Sequence, residues 1–414
     1  MKNALIGNCS HSEKPLIDVL HSQGYFVTSL GIDRSALCSG QVYKHELVDY
    51  TDVEAVAAYL SSRNFDLYIP ACNELFLKTI CKLELAELFG MGDSSLLTKM
   101  IDKSWLTDAF KNSKILKTAN RKIVDLTINH SDEMLLGILT ELGGKVYLKP
   151  LVSAGGRGIV CVNNVANFKK ALGDFSRADC GGVIAEEKLS GREFSISTLL
   201  FGGKVIGFYW DVEISNSYSH QIDASYWHSS ERPIWMDQVS SDIKQIIHKY
   251  NLQNGIFHLQ LIDDNRLGPV VVDVTRRMSG DLYGLEVKAV AGFDLNKFFI
   301  NSLKANQGLE VEIPSRLPEE KEWKSFIRFV RTASTSKIDS NRRKVSQELL
   351  SEIKSVRYRC SKPGTLSSKL NPNKRLDIYH LPDLSDQNFN RYLDALMKNE
   401  LHDFSNQINW EIGF

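Results

Sequence analysis

An apolar strand that ends in charged residues is the first feature of this sequence with chemical meaning. Residues 270 to 281 read VVVDVTRRMSGD, so that three valines run directly into Asp273, Thr275 and Arg277. Unpaired charges are costly in a low-dielectric interior, so something must compensate for them. The segment predicts either an ion pair between Asp273 and an arginine, or a bound ligand that carries both a metal ion and a phosphate.

A second segment combines a lysine with a glycine-rich loop. In YLKPLVSAGGRGI, a predicted strand ending at Lys149 is followed by Ser153, Gly155, Gly156, Arg157 and Gly158. Glycines let backbone N–H groups approach a phosphate closely, and a lysine adds a point charge. A hairpin turn that needs glycine would explain the same letters. Because Lys149 and Arg157 flank the loop, the segment favours phosphate binding.

The segment VIAEEKLSGREF places acidic residues at the end of another predicted strand. Its apolar residues lead to Glu186, Glu187, Lys188 and Leu189, and Glu193 follows. In a nucleotide site, the backbone of such a strand end can bond an adenine edge while a carboxylate binds ribose hydroxyls. A solvated charged turn is the alternative, and the segment alone favours it.

Two further strands, GIFHLQLI and VVVDV, are joined by the polar turn DDNRLG and are predicted to pair as an antiparallel hairpin. This pairing brings Gln260 and Asp273 close together. His258 lies two residues before Gln260 and faces the same side of the strand. A lone strand histidine is more often a satisfied core residue than a catalyst, so both interpretations of His258 stay open.

Composition excludes several broad classes of protein. The chain has 414 residues, of which 43% are hydrophobic and 24% charged, as in a globular protein of two or three domains. The 50 basic residues balance 50 acidic ones, so there is no overall electrostatic case for nucleic acid or an anionic membrane. The 7 cysteines lack metal-binding spacing and are expected to be reduced thiols in a cytoplasmic protein. We find neither a run of about 20 apolar residues nor a signal peptide.

The pattern of elements changes along the chain. The first hundred or so residues alternate apolar strands with helical patterns, which is typical of parallel βαβ units. The turn after the first predicted strand, GNCSHSEKP, lacks the GxGxxG fingerprint, so a dinucleotide-dependent oxidoreductase is disfavoured. From about residue 120 the sequence changes to strands and glycine-bearing turns, and after about residue 315 it contains no chemical motif.

The order of these motifs resembles the ATP-grasp superfamily of carboxylate–amine ligases. MIDKS, YLKP with SAGGRGI, EEKLSGREFS, GIFHLQLI and VVVDVTRR follow one another between residues 95 and 283. The resemblance implies an α/β (α+β) fold, with a βαβ pre-ATP-grasp domain over residues 1–94 and a two-lobed ATP-grasp domain over 95–313. The latter would divide into a lid at about 120–190 and a metal-binding lobe at about 191–313. Residues 314–414 would complete or flank that lobe.

The resemblance also assigns roles to individual residues. The ATP-binding positions fall on Lys103, Lys149, Ser153, Gly155, Gly156, Arg157, Gly158, Glu186, Glu187, Lys188, Leu189 and Glu193. The metal-ligand positions, for Mg²⁺ or Mn²⁺, fall on Gln260, Asp273 and Thr275, where the superfamily usually has an acid, a glutamate and an asparagine. Carbamoyl phosphate synthetases, however, also use glutamine at the first of these. The resemblance gives Arg277 a catalytic role, facing the substrate carboxylate and the transferred phosphoryl group. His258 and Asp281 are further catalytic candidates. Asp281 could recognise an ammonium group of an amino-acid substrate, and a helix cap would explain it equally well.

The activity implied by the resemblance is ATP-dependent ligation. ATP would convert a substrate carboxylate to an acylphosphate, and an amine would then displace phosphate to give an amide. Amino acids or small peptides fit a free-standing ligase of this length best. Two alternatives stay open: an ATP-grasp enzyme with another acceptor, as in carbamoyl phosphate synthetases, and a non-catalytic nucleotide-binding module with a degenerate metal site. The expected partners are small molecules, and homodimers are common in the superfamily.

Overall fold

Three β-sheets, each with its own helices, make up the described part of the chain. A computed structural model describes residues 2–34, 36–151, 158–177, 182–215, 221–312, 316–332, 356–359, 375–397 and 411–412. Among the helices of these residues, none is long and apolar enough to cross a membrane.

The N-terminal domain is a parallel sheet with flanking helices, as the alternating pattern predicts. Its elements are β1 (Lys2–Ile6), α1 (Lys14–Ser22), β2 (Tyr25–Gly31), β3 (Lys44–Leu47), α2 (Val53–Ser61), β4 (Leu67–Ile69) and α3 (Glu74–Lys82). The strands lie in the order β3-β2-β1-β4 and all pair in parallel. Helix α3 begins after Asn73, whose side chain accepts a hydrogen bond from the Phe76 amide at 3.0 Å. This cap satisfies one of the unpaired N–H groups of the first turn.

A smaller sheet follows after two short helices. The elements are α4 (Ser94–Ile101), α5 (Trp105–Phe110), β5 (Lys117–Thr118), β6 (Arg121–Val124), α6 (Asp132–Glu141), β7 (Val146–Pro150), β8 (Val160–Val162), α7 (Val165–Arg177) and β9 (Val183–Glu187). Strands β6 to β9 form an antiparallel sheet in the order β6-β9-β7-β8. We call this unit, which lies within residues 120–190, the lid; its role in closing over a site remains a prediction.

The largest sheet contains ten strands and extends into the C-terminal region. Its remaining elements are β10 (Gly191–Phe201), β11 (Lys204–Ser215), β12 (Ile222–Trp227), α8 (Met236–Lys249), β13 (Gly255–Asp264), β14 (Gly268–Thr275), α9 (Tyr283–Ala291), α10 (Leu295–Asn306), β15 (Phe326–Thr332), β16 (Val356–Arg359), β17 (Arg375–Pro382), α11 (Asp386–Met397) and β18 (Glu411–Ile412). The strand order is β18-β16-β17-β15-β12-β11-β10-β13-β14-β5. Strands β15 to β18 therefore continue the central sheet.

Separate apolar cores hold these units together. One core runs from the N-terminal sheet into the large sheet and includes Ile6, Phe76 and Trp210. A second core fills the lid, with Leu135 of α6 and Phe168 of α7 among its buried members. A unit with its own core can shift as a body relative to its neighbour, which is what a lid over a binding site requires.

Candidate active site

The charged end of β14 is compensated by a distant lysine. Lys103, between α4 and α5, is buried, and its Nζ donates a hydrogen bond to Asp273 Oδ1 at 2.8 Å. The Lys103 amide donates to the Leu151 carbonyl at 3.2 Å, one residue beyond β7. The alternative that paired Asp273 with an arginine is therefore wrong, because Asp273 pairs with Lys103. Because 40% of the Asp273 side chain stays exposed, its carboxylate can bind a further ligand.

Arg277 is held by a carboxylate from the N-terminal domain. Its Nε lies 2.9 Å from Glu74 Oε1, at the first residue of α3, and its Nη1 donates to the Met278 carbonyl at 2.9 Å. The Thr275 hydroxyl donates to the same Glu74 oxygen at 2.9 Å. Glu74 therefore orients both residues, and sequence analysis missed it. The role of Thr275 as a metal ligand remains a prediction, because its hydroxyl is bonded to Glu74 here.

Two cations share one carboxylate at the lid strand that bears Lys149. Lys149 Nζ contacts Glu186 Oε1, and Arg121 Nη2 lies 3.1 Å from Glu186 Oε2. All three side chains are largely buried. Two cations therefore meet at one carboxylate, and Lys149 also interacts electrostatically with Glu193. Cations grouped in this way are suited to bind a phosphate.

The acidic residues of the expected adenine hinge are tied to neighbouring strands. Glu187 accepts the Asn120 amide at 2.9 Å and the Arg266 guanidinium at 3.0 Å. The Lys188 amide donates to the Lys145 carbonyl at 3.2 Å, and Leu189 is buried. These contacts fix the strand end at the junction of lid and large sheet. Adenine binding at residues 186–189 remains a prediction.

The glycine-rich loop is described only at its last residue. Gly158 has φ +77°, and a Cβ there would lie 2.9 Å from Pro150 Cγ. This position requires glycine for its left-handed backbone as well as for space. The other loop residues singled out above, Ser153, Gly155, Gly156 and Arg157, lie outside the described residues.

A row of polar side chains crosses one face of the large sheet. Asp273 on β14 lies opposite Gln260 on β13, as the hairpin predicts. Gln260 lies opposite Ser195 on β10, and Ser195 lies opposite Asp211 on β11. Directly opposite residues project from the same face of a sheet. The exposed carboxylate of Asp273 therefore stands at one end of a polar row that reaches into the protein.

Glu213 lies beside this row and was missed by sequence analysis. Gln260 Nε2 donates to Glu213 Oε2 at 2.8 Å, and the Gln260 carbonyl oxygen takes no part in that bond. Burial, followed by repulsion from Glu193, raises the pKa of Glu213 to about 8. Burial also raises the pKa of Glu193, against the opposing effects of the Ser215 hydroxyl and of Lys149. The alternation in WDVEIS, which puts Asp211 and Glu213 on one face, was the available signal.

A buried carboxyl pair and an arginine extend the same face. Asp211 is 1% exposed, and its Oδ2 has no hydrogen-bond donor among the described residues. Burial and repulsion from Glu286 raise the pKa of Asp211 well above its usual range. Glu286 lies 3.2 Å from Arg328 Nε and accepts a bond from Ser225 at 2.7 Å. A buried carboxyl whose pKa is raised can release its proton when a cationic group binds beside it.

His258 occupies a core position. It is buried, and its Nδ1 lies 2.8 Å from the Ser197 hydroxyl. Its ring meets Tyr283 edge to face. Burial and the positive charge of Arg277 lower the pKa of His258 to about 3. A histidine with so low a pKa is too weak a base to accept a proton usefully at pH 7. Its burial and contacts therefore favour the interpretation of His258 as a core residue.

Asp281 stands on a strained loop between β14 and α9. Asp281 and Leu282 have φ values of 58° and 63°, which are unfavourable for residues with a Cβ and commonly occur at functional sites. The Asp281 amide donates to Ser12 Oγ at 3.3 Å, and its carboxylate lies 3.7 Å from His11 Nε2. The N-terminal domain therefore helps to hold this loop. The catalytic role of Asp281 remains a prediction.

These residues fit a nucleotide with a magnesium ion. The cations Lys149 and Arg121 suit phosphate, and the open Asp273 carboxylate and the Gln260 carbonyl oxygen are the hard oxygen donors that Mg²⁺ prefers. Among the described residues, no group of three or more histidine, cysteine, aspartate or glutamate side chains could hold a metal ion alone. Phosphate oxygens ordinarily complete the ligand shell of such an ion.

The three sheets, in this order and with a lid of separate core, define the ATP-grasp fold, which confirms the fold class expected from the sequence. N5-carboxyaminoimidazole synthetase from Staphylococcus aureus, solved with ADP, aligns with TM-score 0.72 at 13% identity over 96% of this chain and 97% of that one. The biotin carboxylase domain dimer of 2-oxoglutarate carboxylase from Hydrogenobacter thermophilus, solved with MgADP, ADP and bicarbonate, aligns with TM-score 0.73 at 14% identity over 96% and 89%. Phosphoribosylglycinamide synthetase from Anaerococcus prevotii aligns with TM-score 0.63 at 13% identity over 96% and 98%.

In sequence, this chain is similar to a curated protein over a limited stretch. Dapdiamide A synthase from Enterobacter agglomerans is 24% identical over 163 residues, which is 36% of this chain and 37% of that protein. The match thus spans little more than a third of the relative's length. No protein-family model matches the chain.

Proposed function

We propose that the protein is an ATP-dependent ligase that joins a carboxylate to an amine, with ADP and phosphate as products. The observation that carries the proposal is the convergence of separate segments on one site. Lys103 contacts Asp273 on β14, its amide is bonded just beyond the strand that bears Lys149, and Arg277 follows β14. Cations around an open carboxylate suit a metal-bound polyphosphate. ADP in the solved ATP-grasp relatives supports the same nucleotide.

The first step is phosphoryl transfer. A substrate carboxylate oxygen attacks the γ-phosphorus of ATP, the bond between that phosphorus and the ADP oxygen breaks, and an acylphosphate forms. Lys103 and Lys149 would hold phosphate oxygens, and Arg277, oriented by Glu74, would stabilise the charge that spreads over the transferred group. Mg²⁺, held by Asp273 with the Gln260 carbonyl oxygen, would neutralise phosphate charge.

The second step forms the amide. The amine nitrogen attacks the acyl carbon, the C–N bond forms, and the C–O bond to phosphate breaks. An ammonium ion must lose a proton before it can attack, and Glu213, with its pKa of about 8, is suited to exchange protons near neutrality. Water must be excluded because it would hydrolyse the acylphosphate, and closure of the lid over the site would do this.

The proposed substrates are an amino acid or small peptide as amine and a small carboxylic acid as its partner. The buried carboxyls of Asp211, Glu213 and Glu286 support a cationic amine. The partial similarity to dapdiamide A synthase supports the same substrate class. We also propose a homodimer, because the Hydrogenobacter relative was solved as a dimer; light scattering of the purified chain would test it.

The test is ADP and phosphate release with MgATP and a panel of carboxylic acids and amines, singly and in pairs. We expect release that needs one acid and one amine together, and a loss of at least about 100-fold in Asp273→Asn and Arg277→Ala. Asp237→Asn is the matched control. It removes the exposed ion pair between Asp237, on helix α8, and Arg232, and neither residue belongs to the proposed site.

Other outcomes would favour the two alternatives. ADP release with bicarbonate and no amine would indicate an acceptor of the kind used by carbamoyl phosphate synthetases. Tight ATP binding without turnover for any pair would indicate a nucleotide-binding module with a degenerate metal site.

A further inference from the structure

A cavity of about 320 Å³ lies behind the active-site strand, away from the site described above. One wall is formed by side chains between residues 87 and 97, which include the first turn of α4. Residues 250–253 after α8 form the other wall. Arg276, between Thr275 and Arg277 in the chain, contributes to the lining. The volume lies at the lower end of the range for small-ligand pockets, which suits a molecule of amino-acid size.

Arg276 brings to this cavity a buried charge that pairs with no carboxylate in the part of the chain that the structure describes. Its guanidinium donates to the carbonyls of Ile256 at 3.0 Å, Gln253 at 2.7 Å and Asn254 at 3.2 Å. The Arg276 side chain is buried, and it forms no ion pair with any of the described residues. Backbone carbonyls satisfy some of the five N–H donors but carry no net charge. A carboxylate in the cavity would supply the missing counter-charge, and a guanidinium binds carboxylates well.

The rest of the lining is complementary to a zwitterion. Glu87 and Asp93 supply carboxylates, and Asp93 also caps α4 by accepting the Ser95 amide at 2.7 Å. Met91, Leu97 and Leu252 supply apolar surface. A ligand with a carboxylate, an ammonium group and an apolar side chain matches these three features together. A purely structural arginine would account for the carbonyl bonds, but it would not account for an adjacent cavity with opposite charges and apolar walls.

We propose that this cavity binds a free α-amino acid with an apolar side chain, with the carboxylate at Arg276 and the ammonium group at Glu87 and Asp93. The site is distinct from the proposed ligase site, because Arg276 and Arg277 project to opposite sides of the backbone: Arg277 pairs with Glu74, whereas Arg276 reaches the carbonyls of residues 253–256. The inference does not depend on the proposed catalytic activity.

Calorimetric titration of the full chain with L-leucine tests the proposal. N-acetyl-leucine lacks the ammonium charge and leucinamide lacks the carboxylate, so each should bind at least about tenfold more weakly than leucine. Leu96→Trp should abolish leucine binding, because Leu96 lines the cavity and indole would fill it. The circular dichroism spectrum and urea unfolding midpoint of the same variant should match those of the wild type, which would show that it is folded. Asp273→Asn should bind leucine as the wild type does.

Three results would overturn the proposal. One is the absence of leucine binding at millimolar concentration. Another is equal binding of leucine and its two blocked analogues, which would indicate a nonspecific apolar contact. The third is loss of leucine binding in Asp273→Asn but not in Leu96→Trp, which would place leucine in the ligase site. Glu87→Gln provides a milder second variant. It should weaken the binding of leucine and of leucinamide to a similar extent, because both carry the ammonium group.

Discussion

Replacing Glu213 by glutamine should remove much of the pH dependence of folding stability. Glu213 is 9% exposed, and burial raises its pKa from 4.5 to about 8. Between these two values the folded protein keeps a proton on Glu213 that the unfolded chain has released. Stability must therefore fall as pH rises through this window, and the loss is complete once pH exceeds the folded-state pKa.

The size of the effect follows from linkage. One pKa unit corresponds to about 1.4 kcal/mol, and integration from about pH 5.5 to about pH 8.5 gives a loss of roughly 3 kcal/mol in the free energy of unfolding. Glutamine resembles protonated glutamate, and its carbonyl oxygen can still accept the bond from Gln260. Glu193, whose pKa is also raised by burial, should leave a smaller residual dependence in the variant.

Urea unfolding at the two pH values provides the assay, with fluorescence of the buried Trp210 and Trp227 of the same sheet as the probe. We expect Glu213→Gln to lose roughly 3 kcal/mol less over this range than the wild type and the exposed control Glu310→Gln. The raised pKa values of Asp211 and Glu193 add a pH dependence that all three proteins share. An equal pH dependence in wild type and Glu213→Gln would refute the reasoning, because Glu213 would then titrate normally in the folded protein.

Three further substitutions test other parts of the structure. Glu186→Gln leaves two buried cations without their carboxylate and should lower stability by about 3–5 kcal/mol, measured by thermal denaturation, with added phosphate restoring part of the loss; an unchanged melting temperature would contradict this. Asp242→Ala removes the acceptor of three backbone amides at residues 114–116 and should cost about 3 kcal/mol or more in urea unfolding, whereas a loss below about 1 kcal/mol would show that water replaces it. Gly158→Ala forces a side chain into a left-handed backbone and should weaken ATP binding, seen as a raised KM; an unaltered KM would mean that the loop tolerates the change.

The sequence predicts well those features that depend on neighbouring residues. The polar turn between two alternating strands predicts a hairpin, and its register places Gln260 opposite Asp273. The alternation of strands and helices likewise predicts the parallel N-terminal sheet. Both features follow from local periodicity and turn chemistry, which a single chain displays directly.

Contacts between distant segments could not be predicted in the same way. Arg277 is oriented by Glu74, about two hundred residues earlier, and the buried Glu186 of the lid pairs with Arg121 as well as with Lys149. Neither Glu74 nor Arg121 lies in a motif, since each is one charged residue among many. Their roles depend on how sheets are placed relative to one another, and that placement is not encoded in local spacing.

By itself, the sequence determined the order of the motifs, the ATP-grasp fold they imply, and the residue types available for phosphate and metal. Tertiary structure decided the electrostatics of the site. It buried Glu213 and His258 and so shifted their pKa values in opposite directions, to about 8 and about 3. It also placed the buried Arg276 beside a cavity, with no counter-ion among the described residues. Desolvation depends on which surfaces meet when the sheets pack, and that is a property of the folded chain and not of any segment within it.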